Sequence, residues 1–170
     1  DMSQLTRLDE MPASFPENRE INNFDIVPIV YNVLEDTALQ LQEKGIKPIV
    51  ELPESILISS PFADPESLIY SIFRNLVDNV LSHATGATSI RISYNNGEFV
   101  LSDNGAGVAP LHLPYLFERF YRVDKGRSRK LGGTGLGLAI VKNTVVAHSG
   151  TITALSTPGG GLTIKFTLQA

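Results

Sequence analysis

The stretch "GGTGLGLAIVK", residues 132–142, has glycine at four of its first six positions and then turns into an apolar run of helical character. A glycine held in one conformation loses more chain entropy than other residues, so a cluster of them marks backbone that takes unusual angles or approaches something closely. Two readings fit. One is a solvent-exposed hinge; the other is a phosphate cradle, in which bare N–H groups and a helix N-terminus face an anion. Two common phosphate motifs are excluded by the letters themselves. A P-loop needs Lys after its last glycine, whereas Gly137 precedes Leu138, and a dinucleotide fingerprint counted from Gly133 meets Leu138 where its third glycine belongs.

The surrounding chain of 170 residues is 42% hydrophobic, enough for one domain with a substantial core. A net charge of -4 argues against a general nucleic-acid binder, so no nucleic-acid partner is expected. The basic residues are nevertheless clustered: Arg119, Arg122, Lys125, Arg127, Arg129 and Lys130 fall within "RFYRVDKGRSRK" with Asp124 as the one acid. The chain has no Cys, which removes disulfides, thiol nucleophiles and thiolate metal sites. No apolar run approaches the roughly 20 residues that span a bilayer, and no signal-peptide pattern opens the sequence. A start at Asp1, followed by Met2, reads as a piece cut from a longer protein.

Along the chain, residues 1–20 read as the end of a preceding helix plus a linker broken by Pro12 and Pro16, and residues 21–170 as the folded domain. "INNFDI" reads as a strand. Val27 to Lys44 has helical spacing and ends at Gly45, a C-terminal glycine. "KPIVEL" and "ILISS" read as strands. A second helix is expected from Asp64 as N-cap, with Pro65 at its first position, to about His83. "SIRISY" and "EFVLSD" alternate around Asn96-Gly97, a hairpin signal. A short helix over 113–121, a polar loop over 122–134, a third long helix over 136–148 and a closing hairpin through "PGG" complete the reading. The expected architecture is an α/β (α+β) two-layer sandwich, with three main helices on one face of a mixed, mostly antiparallel sheet.

Three further stretches carry chemistry. On the helix 64–83, Leu68, Ile69, Ile72, Phe73, Leu76, Val77 and Val80 form the apolar stripe, while Asn75 and Asn79 share its edge, continued by Ser82 and His83. The two amides fit a core boundary; an Asn carbonyl is also a hard oxygen ligand suited to Mg²⁺, for which Asn79 is the candidate. "LSDNGAGV" fits an ordinary turn. It also puts Asp103 at the end of an apolar strand, where an acceptor-only carboxylate suits the exocyclic amine of adenine and rejects the guanine carbonyl. In "LPYLFERFYRVD", Phe117, Phe120 and Tyr121 fit a core, and Arg122 suits phosphate oxygens. The basic run over 122–130 fits either a solvated charge run or a mobile lid between glycine-rich segments.

In this order, "NLVDNVLSHA", "DNGAGV", "LFERFYRVD" and "GGTGLGLAIVK" resemble the N, G1, F and G2 boxes of the catalytic ATP-binding domain of bacterial sensor histidine kinases, within the GHKL superfamily. "VVAHSGTITALSTPGGGLTIKFTL" is similar to the family's closing segment, so the resemblance covers about residues 21–168. "MSQLTRLDE" is similar to the end of the second helix of the family's dimerisation and phosphotransfer domain. The resemblance implies ATP held between the long helices and a lid, and the glycines acting as hinge and cradle together. It implies Mg²⁺ on Asn79, Asn75 on the phosphate side, adenine on Asp103 with Gly105, Gly107 and Val108 beside the base, and His83 at the nucleotide or packed near it. Gly133, Thr134, Gly135, Leu136 and Gly137 would wrap the triphosphate, with Arg122 and Lys130 neutralising it.

Relatives that hydrolyse ATP have Glu where Asn75 stands, and Asn cannot take a proton from water. The resemblance therefore implies donation of the γ-phosphate to a histidine on a separate dimerisation domain, then to a response-regulator receiver domain, chiefly by positioning and charge neutralisation. Asn75, Asn79 and Arg122 are the catalytic candidates. His83, His112 and His148 lack the helical phosphoacceptor context, so the acceptor is expected upstream. The resemblance further implies a monomeric fragment of a homodimeric parent that works in the cytoplasm, and it is compatible with an inner-membrane anchor on that parent. Val80 and Ser82 depart from the family's usual Ala and basic residue, which keeps open a degenerate nucleotide-binding module with little kinase activity.

Overall fold

The computed structural model describes residues 17–121 and 136–168. Seven strands and four α-helices follow in the order β1 (Glu17–Asp25), α1 (Val27–Asp36), α2 (Ala38–Glu43), β2 (Lys47–Glu51), β3 (Leu57–Phe62), α3 (Pro65–His83), β4 (Ser89–Asn95), β5 (Glu98–Asp103), α4 (Gly137–Ala147), β6 (Ile152–Ser156) and β7 (Leu162–Thr167), among the described residues. Five strands form one sheet in the order β2-β4-β5-β7-β6, antiparallel throughout except for β2, which runs parallel to β4. β1 and β3 pair separately as a two-stranded antiparallel sheet. The mixed, mostly antiparallel α/β layer arrangement is as expected; the detached pair is an addition to it.

Local signals explain most of the elements. Asp64 caps α3 by accepting the Ser67 N–H at 3.3 Å, and Pro65 occupies the first turn, where a missing N–H costs no hydrogen bond. Asn96 and Gly97, with φ of 51° and 82°, make the primed turn that joins β4 to β5. The helix expected over 27–44 is broken at Thr37, whose hydroxyl bonds back to the Val33 carbonyl at 2.8 Å while its ψ of 6° opens the helical path. α2 then closes in a Schellman arrangement: Gly45, at φ 69°, donates to Gln42, and Ile46 to Leu41 at 2.9 Å. The helix expected over 113–121 is a 3-10 helix over Pro110–Tyr115, displaced because Pro114 has no N–H with which to continue an α-helix. Phe117 packs against the core, but Phe120 is exposed with φ 63°.

The core lies between α3 and the sheet. Ile69, Ile72, Phe73, Leu76, Val77 and Val80 face Ile90, Ile92, Phe99, Leu101, Ile164 and Phe166, all buried. Phe73, Phe99 and Phe166 interlock, with centroid separations of 5.6, 5.6 and 5.1 Å. α4 packs along α3, which brings the end of the glycine-rich stretch to the helix that carries Asn75 and Asn79. No helix among the described residues is long and apolar enough to cross a membrane.

His148 closes α4 and is buried. The Thr144 carbonyl, 2.9 Å from Nδ1, can only accept, so Nδ1 carries the proton and Nε2 accepts from Ser60 Oγ at 3.0 Å. Burial holds the imidazole below its ordinary value of 6.5. The unfolded chain then takes up protons more readily than the fold as pH drops past that value, and stability declines. Urea melts from pH 7.5 to 5.5 are expected to show this decline, and the His148→Gln variant a shallower one.

Candidate functional site

Asp103 ends β5 with 5% of its surface exposed. Its Oδ1 accepts the N–H of Gly105 at 2.9 Å and, more weakly, that of Leu162 at 3.4 Å. Burial raises the carboxyl above its ordinary value, and these two donors partly oppose the rise. With Oδ1 engaged, Oδ2 is the oxygen left to meet a ligand, and as an ionised acceptor it selects a donor.

Glycines build the walls around this carboxylate. Gly161 has φ 115°, and a Cβ there would lie 2.0 Å from the Asp103 carbonyl oxygen. Gly107 has φ 76°, and its Cβ would meet the Gly161 carbonyl oxygen at 3.0 Å. At Gly105 a Cβ would come within 3.0 Å of the Ala84 carbonyl carbon, just past the end of α3. The Ala106 N–H donates to the Thr85 carbonyl at 2.9 Å. The loop after β5 is thereby joined to the C-terminal end of α3, and Asn104 ties the same loop to Thr88 and Ser89 at 2.8 and 3.0 Å. The sequence places Gly159 and Gly160 in the closing hairpin's turn and Gly161 at the start of its second strand. The signal that marks them as more is the third consecutive glycine, since all of Gly159, Gly160 and Gly161 take positive φ.

The second half of the site lies between α3 and α4. Asn75 is half-buried; its Nδ2 donates to the Ser71 carbonyl at 2.8 Å and to Ser71 Oγ at 3.1 Å. Gly137, the first residue of α4, approaches so closely that a Cβ would sit 3.2 Å from Asn75 Oδ1. Asn79, one turn on and half-buried, makes no side-chain hydrogen bond among the described residues. A side-chain amide oxygen is chemically suited to a hard cation.

Of the other sequence candidates, His83 is exposed at the last position of α3, and Val108 is half-buried against the core. Leu136 is 2% exposed, its side chain packed with Phe62, Ala139 and Ile140, so its backbone alone is left for a ligand. Arg122, Lys130, Gly133, Thr134 and Gly135, with the lid expected over 122–134, lie outside the described residues. His112 is paired with the Tyr121 hydroxyl and His148 with Ser60.

Comparison with known proteins extends this geometry. The Staphylococcus aureus sensor protein kinase WalK is 34% identical over 174 residues, a match covering 99% of this chain and 40% of that relative. Other forms of WalK are covered over 27% of their length, so the chain spans well under half of these curated relatives. Full-length ShkA in complex with AMPPNP shares the fold at a TM-score of 0.74 and 24% identity, over 99% of this chain and 35% of that one. The mycobacterial sensor histidine kinase MprB does so at 0.69 and 23% identity, over 88% and 97%. The family model described as histidine kinase-, DNA gyrase B-, and HSP90-like ATPase matches residues 64–170, which span α3, both halves of the site and the closing hairpin. With more than half of its length so matched, the chain belongs to the histidine kinase-, DNA gyrase B- and HSP90-like ATPases.

Proposed function

We propose that this chain is the catalytic ATP-binding part of a sensor histidine kinase, which takes up Mg-ATP and donates the γ-phosphate to a histidine on a separate dimerisation domain. The observation that carries the reading is the buried Asp103, with one carboxylate oxygen held by backbone and the surrounding walls made of glycine. That arrangement suits the adenine amine and disfavours guanine, whose carbonyl would face an acceptor. Gly105, Gly107 and Val108 flank the base, and His83 stands near the nucleotide. Asn79 supplies an oxygen to Mg²⁺, an ion that keeps much of its hydration and takes few protein ligands. Gly137 and the backbone of Leu136 open α4 toward the phosphates, where helix N-terminal amides favour negative charge. Arg122, Lys130, Gly133, Thr134 and Gly135 complete the triphosphate site.

The P–O bond to the γ-phosphorus breaks, leaving ADP, as the phosphorus–nitrogen bond to the acceptor imidazole forms. Asn75 does not serve as a base toward water, since its amide cannot take a proton. From the histidine the phosphoryl group passes to a response-regulator receiver domain. The domain works in the cytoplasm, as part of a homodimeric parent.

Calorimetric titration with a non-hydrolysable ATP analogue, with and without Mg²⁺ and with GTP as control, is expected to show Mg-dependent binding that excludes GTP. Labelled ATP supplied with a separate histidine-bearing dimerisation domain is expected to yield acid-labile phosphohistidine on that domain. Binding without transfer would leave a nucleotide-binding module; label on the 170 residues themselves would overturn the external acceptor. Asn79→Ala is expected to abolish the Mg²⁺ dependence with little change in melting temperature, because the half-buried amide makes no side-chain hydrogen bond to another described residue. A metal titration beside a melting curve checks both halves.

A further inference from the structure

Asn75 is set by groups that leave its amide one orientation. The Ser71 carbonyl oxygen, 2.8 Å away, can only accept, so the atom facing it is Nδ2. The second proton of the same amino group falls to Ser71 Oγ at 3.1 Å. Oδ1 is thereby turned the other way, toward the start of α4, where a side chain at Gly137 would crowd it at 3.2 Å. An amide free to turn over would present an amino group there half of the time, reversing the polarity of the site.

We propose that Ser71 is a positioning residue for Asn75, its hydroxyl holding the amino group so that Oδ1 faces the first turn of α4. The inference rests on the Mg-ATP reading above and sharpens the part of Asn75 within it. An acceptor turned toward α4 is repelled by phosphate oxygens and attracted by a cation, a bound water or a backbone N–H. Asn75 therefore meets the metal's hydration or the α4 amides, and leaves the phosphate oxygens to donors. Ser71 lies one helical turn before Asn75 on α3, so its hydroxyl reaches the amide from the same helix face.

The test uses Ser71→Ala, Ser71→Thr and Asn75→Ala, singly and with Ser71→Ala and Asn75→Ala combined, titrated with a non-hydrolysable ATP analogue and Mg²⁺. Ser71→Ala is expected to weaken Mg-dependent binding about threefold to tenfold, the scale of one hydrogen bond. Ser71→Thr, which keeps the hydroxyl, is expected to restore it. In the Asn75→Ala background, Ser71→Ala is expected to add nothing, because its partner is already gone. Unchanged binding in Ser71→Ala, equal loss in Ala and Thr, or additive losses in the double variant would each overturn the inference. Wild-type protein that binds no analogue would overturn the Mg-ATP reading instead, and melting curves of each variant separate both from unfolding.

Discussion

Asp103→Asn is expected to lower affinity for an ATP analogue by about 100-fold, the scale of a charged hydrogen bond replaced by a mismatched one. An Asn amide oxygen in the place of Oδ1 keeps both backbone donors, Gly105 at 2.9 Å and Leu162 at 3.4 Å. The amino group then stands where Oδ2 was, and a donor faces the adenine amine. Stability moves differently. The folded-state pKa of Asp103 is raised above 3.8, so ionising it in the fold is unfavourable. That cost is absent below the unfolded-state value and complete once pH exceeds the raised one. Asn never ionises, and at neutral pH the variant is expected to be no less stable than the wild type. Calorimetry and urea denaturation at pH 7 check the two halves, and unchanged ATP affinity would remove Asp103 from the site. In the wild type, acidification through the raised pKa is expected to weaken binding, since a protonated carboxyl becomes a donor.

Gly161→Ala is expected to cost about 3 kcal/mol of stability and to abolish nucleotide binding, at the upper end for backbone strain combined with overpacking. Two effects coincide there. The residue sits at φ 115°, and its new methyl would lie 2.0 Å from the Asp103 carbonyl oxygen, a backbone atom that cannot swing aside. Relief requires the start of β7 to move away from β5, which breaks the Leu162 contact with Asp103. Gly159→Ala is the control. It also takes positive φ, at 87°, but nothing lies within 4 Å of its Cβ position. Its cost is expected to be about 1 kcal/mol, the strain of the left-handed region alone, with binding retained. Chemical denaturation and analogue titration on both variants distinguish a packed wall from a flexible turn.

The two halves of the site differ in how readily the sequence reveals them. Asn75 and Asn79 stand four residues apart on one well-capped helix, and Asp103 closes an alternating strand before two spaced glycines. Each pattern is complete within a few residues, so periodicity and capping chemistry expose it. Leu162 reaches Asp103 across a separation of 59 residues, with Gly161 beside it, and nothing local to "PGGG" states which strand end they will wall. The bond from Asn75 to Ser71 is local, within one turn of α3, but its meaning depends on Gly137 arriving from α4.

By itself the sequence determined the elements and the family. The Asp64 cap with Pro65, the stripe from Ile69 to Val80, the Asn96-Gly97 turn and the four ordered boxes all act within their own segments, where steric and capping preferences operate without distant partners. Tertiary structure decided the rest. It put β7 between β5 and β6, ran β2 parallel to β4, and set β1 and β3 apart as their own sheet. Strand neighbours are chosen by which apolar faces can cover α3 together, a condition on Phe73, Phe99 and Phe166 jointly that no one stretch of the chain contains.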